Sequence, residues 1–116
     1  MNDRIEEITK LINDLTTDLL VPIRTSKLVN KEAFSEFYKL LDEVIKLVSE
    51  KELINRKLAG LLFFIYTTIS AEAEHTNYSS PIFLEASKIE DYLSKILWDS
   101  PFGKGTIWLM NLRSYT

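Results

Sequence analysis

The chain has no cysteine, one histidine, three glycines and three prolines in 116 residues, and its 17 acids outnumber its 14 bases. Each shortage removes a class of protein. Without cysteine there are no disulfides and no thiolate metal sites, so a reducing compartment is permitted. A net charge of −3 and a pI near 5.2 lack the basic stripe that grips a phosphate backbone, so no nucleic acid is expected as a partner. No apolar run reaches the roughly 20 residues of a transmembrane helix. The opening MNDRIEEITK is polar and acidic where a secretory leader has a basic start and an apolar core. Cytoplasmic residence is therefore expected. At this length the chain suits one domain able to bury a core without staples.

What is present is helical periodicity. The stretch the rest is organised around is Leu53 to Ala71, because from Leu58 through Ile69 most side chains are apolar and none is charged. Apolar residues nearly all round a helix imply that it is covered on most sides. A first helix over about 3–20 starts at Asn2 or Asp3 and carries Ile5, Ile8, Leu11, Ile12, Leu15 and Leu19 on one face, with Glu7, Lys10, Asp14 and Asp18 off it. Pro22 is expected to end it, since the residue before a proline is pushed out of the helical region. A second helix over about 31–48 starts after Asn30 as cap, with the stripe Phe34, Phe37, Leu41, Val44, Ile45 and Val48 and with Glu32 and Glu36 near the positive end of its dipole. Ser49 and Glu52 have capping-box spacing, which puts the third helix at about 51–74 and makes helices two and three antiparallel neighbours. Ser80 before Pro81 reads as a cap and first helical residue, opening a fourth helix over about 81–98 with Ile82, Ala86, Ile89, Leu93, Ile96 and Leu97 on one face. The tail, 99–116, is too rich in apolar and aromatic residues for disorder and is expected to fold back over the helices. The expected fold is all-α, an antiparallel four-helix bundle with an ordered C-terminal tail packed on it.

No catalytic constellation emerges. Glu72 and His75 have the Glu-x-x-His spacing of di-iron bundles, but that architecture needs two such motifs and His75 is the sole histidine. It reads as an ordinary helix-end residue. Gly103 and Gly105 form GKG without the rest of a phosphate loop, and Glu90 and Asp91 are adjacent and point apart on a helix. No enzyme activity, cofactor or metal is expected. Two features are candidates for partner binding. Between Glu72 and Asp99 the acids Glu72, Glu74, Glu85, Glu90, Asp91 and Asp99 face only Lys88 and Lys95; such a run is usually a solvated face, and otherwise a patch for a basic partner. Trp98, Phe102, Trp108 and Tyr115 cluster late in the chain, where aromatics either cap the core or anchor an interface.

The stretch FSEFYKLLDEVIKLVSEKELINRKLAGLLFFIYT, about a third of the chain, leads an amphipathic helix into Leu53, Ile54, Asn55 and Arg56 and then into a helix bearing Phe63, Phe64 and Tyr66. In this it resembles the small helical immunity proteins that protect producers of pediocin-like bacteriocins. The resemblance implies a cytoplasmic, non-catalytic bundle that confers self-protection by recognising a cognate bacteriocin or toxin, or a toxin-engaged membrane receptor, with specificity in helix four and the tail. The acidic charge departs from that group and favours a basic target, such as the nucleic-acid groove of a secreted nuclease toxin. The competing expectation is a structural or regulatory bundle, a homodimeric adaptor joined through helix four and the tail. The chain is read as a monomer or weak dimer.

Overall fold

Two asparagines set where the middle helices start. In the computed structural model, which describes residues 3–77 and 81–97, the Asn30 side chain accepts a hydrogen bond from the backbone N–H of Ala33 at 3.1 Å. The Asn55 side chain does the same for Leu58 at 3.0 Å. Each satisfies one of the donors left without a partner in a helix's first turn. The described residues form four helices: α1 (Asp3–Ser26), α2 (Lys31–Val48), α3 (Arg56–His75) and α4 (Pro81–Leu97). They pack compactly around an apolar cluster to which all four contribute. The all-α expectation holds, and Pro81 takes the first position of α4 as its fixed backbone angle favours.

Pro22 does not end α1. The helix runs on to Ser26 with the proline inside it. Proline removes one backbone bond and costs a helix about 3 kcal/mol. Leu19, Leu20 and Ile23 are buried at this end, and each fully buried aliphatic side chain contributes about 1.5–3 kcal/mol. Packing wins over propensity. The stop comes at Lys27, which takes a left-handed φ of 56° while its N–H bonds the carbonyl of Ile23 at 3.1 Å, a helix-ending arrangement usually given to glycine.

The turn between α2 and α3 also differs from expectation. Ser49 closes α2 with helical angles, φ −55° and ψ −28°, whereas a capping residue needs an extended backbone. Residues 49–55 form the connection, and the third helix opens at Arg56 rather than near 51. With this longer link, α2 and α3 are not among the packed pairs; α1 packs on α2 and α3, and α4 packs on α3 and α2. The helices thus form a ring in the order α1, α2, α4, α3. Arg4 of α1 meets Glu43 of α2 and Lys27 meets Glu72 of α3, so α1 runs against α2 and alongside α3.

The central stretch proves one-sided. Leu58, Leu62, Ile65, Ile69 and Ala73 point into the core at helical spacing, but Phe63 and Phe64 are 61% and 51% exposed. Leu53 lies in the connection, not on a helix, and is also exposed. The expectation that Leu53 to Ala71 is buried on most sides is therefore corrected: α3 has only α1 and α4 as packed neighbours, and no described element covers its outer face. At Gly60 a methyl group would meet nothing within 4 Å. Leu11, expected in the core stripe of α1, is 42% exposed, and Leu20 and Ile23 are buried with Ile5, Ile8, Ile12 and Leu19 instead. Among the described residues no helix is long and apolar enough to cross a membrane.

Candidate partner-binding surfaces

The acids singled out in the sequence are mostly occupied with holding helices together. The Tyr38 hydroxyl of α2 donates to Glu85, and the Tyr66 hydroxyl of α3 donates to Glu90 at 3.0 Å. Glu85 and Glu90 therefore face opposite neighbours of α4 and do not form one patch. Glu72 pairs with Lys27 across the ends of α3 and α1, and the hydrogen bond from that ammonium holds the Glu72 carboxyl below the usual range. Asp91 is exposed and pairs with Lys95 one turn on, at 3.2 Å. Glu74 is exposed near the end of α3, next to His75, which is also exposed. Trp98, Asp99, Phe102 and Trp108, with the Ser80 cap and the rest of the tail, lie outside the described residues.

The α2–α4 junction is a tyrosine and carboxylate seam. Tyr38 and Tyr92 stack with centroids 5.4 Å apart and planes 8° apart, and Lys88 Nζ stands 5.6 Å from the Tyr38 centroid. The Tyr92 hydroxyl donates to Asp42 at 2.8 Å. Burial, reinforced by Glu85, raises the Tyr38 hydroxyl well above its ordinary value; burial and then Asp42 push Tyr92 up to about 12. Both rings keep their protons at any physiological pH. The α1–α2 contact is fastened by Arg4, whose guanidinium grips both oxygens of Glu43 at 2.6 and 2.8 Å, a fork-to-fork geometry specific to arginine.

One surface is built differently. Along the α1–α2 seam runs an open groove of about 360 Å³. Its floor is apolar, made by Leu11 and Leu15 of α1 and Ala33 and Leu40 of α2. Its walls are acidic on both sides, Asp14 and Asp18 from α1 and Glu32 and Glu36 from α2. None of these four carboxylates has a hydrogen bond or ion pair among the described residues. Each wall is a like-charge pair four residues apart, an arrangement that costs its helix about 0.2–0.5 kcal/mol. A second cleft, lined by Glu6, Lys51, Leu53 and Ile54 among others, mixes both signs of charge and selects no partner by charge.

The groove could have been suspected from the spacing of Asp14 with Asp18 and Glu32 with Glu36. Their convergence could not, because it depends on α1 and α2 being packed neighbours with these two segments side by side. Among the described residues no three of His, Asp and Glu are placed to hold a metal ion, so the groove acids are too dispersed to share one. Leu53, Ile54, Asn55 and Arg56 turn out to be the end of a connection, a cap and a first helical residue, a structural use. The chain matches no protein-family model, no curated protein and no solved structure.

Proposed function

We propose that this chain is an immunity-type binding protein, non-catalytic and cytoplasmic, that protects the cell making it by binding a basic protein toxin or bacteriocin, alone or with its receptor. The observation that carries this reading is the α1–α2 groove, where carboxylates on both walls lack partners among the described residues. Carboxylates that repel a like neighbour along each wall and make no contact among the described residues fit a binding role better than a structural one. An acidic surface with an apolar centre speeds the capture of a basic protein and holds it by burial. In the full reading the chain is a four-helix bundle with α1 and α2 as antiparallel neighbours, the tail packs on it, and Trp98, Phe102 and Trp108 extend the surface available to the partner. The test is protection. A sensitive strain expressing the chain, challenged with the secreted proteins of the encoding organism, is expected to survive where the parent strain dies; equal killing of both contradicts the proposal.

One observation favours a homodimeric adaptor as an alternative, joined through α3 in place of helix four and the tail. The outer face of α3 presents Gly60, Phe63, Phe64 and Thr67 exposed and uncharged, which is a surface suited to a second copy. Sedimentation that shows a concentration-dependent dimer, dispersed by Phe63→Lys, supports this alternative; a monomer at every accessible concentration removes it.

A further inference from the structure

We infer that the α1–α2 groove is a docking site for a basic amphipathic helix carried by a protein partner. The inference rests on the binding reading above and adds the place and the chemistry. The groove is bounded by two helices, and the residues lining α1, Leu11, Asp14, Leu15 and Asp18, recur at the spacing of one helix face. A third helix laid between two packed ones meets such a seam along its length, which is the helix-in-groove mode of recognition. Leu11 at 42% exposure and the half-buried Leu15 leave apolar surface for leucine-like side chains along the middle of the incoming helix. On the two walls the acids flank that floor and ask for Lys or Arg on both edges of the visitor.

Other occupants fit less well. A small ligand needs a site that encloses most of its surface, and this groove is open along its length. A nucleic acid would be repelled by the four carboxylates. A bound cation would need acids converging on one point, and no such group occurs among the described residues. Lys10 stands one turn before Asp14 on α1 yet makes no ion pair with it, so no described residue already neutralises the groove. The contrast is with the acids placed between helices: Glu43, Glu72, Glu85 and Glu90 all have partners.

The test uses the full chain, isotopically labelled, and maps amide shifts during titration with a synthetic amphipathic helix of about 18 residues, long enough to have helical character. This probe carries leucine along one stripe and lysine on both flanks. A second probe replaces its lysines with glutamate, and a third keeps the lysines but replaces the leucines with glycine and serine. Expected are shifts confined to residues 11–18 and 30–40 with the first probe alone, weakened roughly tenfold by Asp14→Asn with Glu36→Gln and again as salt rises from about 50 to about 300 mM. A circular dichroism spectrum of the variant matching the parent's shows that the loss is not unfolding. Shifts centred on Phe63 and Phe64, equal binding of the leucine-free probe, or no binding overturn the inference. The protection assay separates the two proposals. If the Asp14→Asn, Glu36→Gln variant protects as well as the parent chain, the groove is wrong and the immunity reading stands; if the parent does not protect while the probe maps to the groove, the reverse holds.

Discussion

Glu85 and Glu90 on α4 each receive a tyrosine hydroxyl from a neighbouring helix, whereas Asp14, Asp18, Glu32 and Glu36 receive nothing from the described residues. Both sets of acids lie on amphipathic helices of the same fold. What separates them is the residue across the seam. Opposite α4, α2 offers Tyr38 and α3 offers Tyr66, long side chains whose rings pack while their hydroxyls donate. Across the α1–α2 groove, acid faces acid. A carboxylate's role in this protein is thus decided by the partner helix and not by its own spacing.

The comparison can be broken most forcefully at α4. Glu85→Lys removes the acceptor of the Tyr38 hydroxyl and places a second cation near Lys88, and it is expected to lower the unfolding free energy by about 2–3 kcal/mol in urea titrations. Charge reversal at Glu90, which frees the Tyr66 hydroxyl, is expected to cost about 1–2 kcal/mol for the same reason. Such a variant is therefore a poor probe of partner binding. Raising the pH attacks the same seam. Tyr92 holds its proton to about 12 in the folded chain, while an unfolded tyrosine releases it near about 10. The stabilisation is complete below about 10 and is lost between about 10 and 12 as the unfolded state alone sheds its proton. Urea titrations followed by far-ultraviolet dichroism should show the unfolding free energy falling in that window, and Tyr92→Phe should blunt the pH dependence. The smallest effect is expected at Asp91, whose exposed pair with Lys95 contributes little: Asp91→Asn should shift stability by no more than about 0.5 kcal/mol.

How much of this was legible in the sequence follows from the range over which each signal acts. Asn30 and Pro81 mark helix starts because caps are local, and the stripes Phe34, Phe37, Leu41 and Val44 or Ile82, Ala86 and Ile89 follow from helical spacing alone. Pro22 misleads because a local rule is outweighed by the burial of Leu20 and Ile23, which is a tertiary fact. Ser49 with Glu52 has the spacing of a capping box, but Asn55 takes the cap and α3 begins after it. The uncharged run from Leu58 to Ile69 was readable as a helix and not as a half-exposed one, since a sequence does not show how many neighbours a helix has. The acids between Glu72 and Asp99 look like one patch in one dimension. In three, Glu72, Glu85 and Glu90 turn toward three different helices, and four open carboxylates gather in a groove elsewhere, from two segments about 20 residues apart.

The most direct measurement is the unfolding free energy of the variant Asp14→Asn, Asp18→Asn, Glu36→Gln, with Glu32 kept because it lies in the first turn of α2, where the helix dipole favours an acid. If the groove acids serve a partner and not the fold, removing both like-charge pairs leaves stability unchanged or raises it by up to about 1 kcal/mol. A loss of more than about 1 kcal/mol would mean that these carboxylates help hold α1 to α2, and the distinction between the two sets of acids would fail.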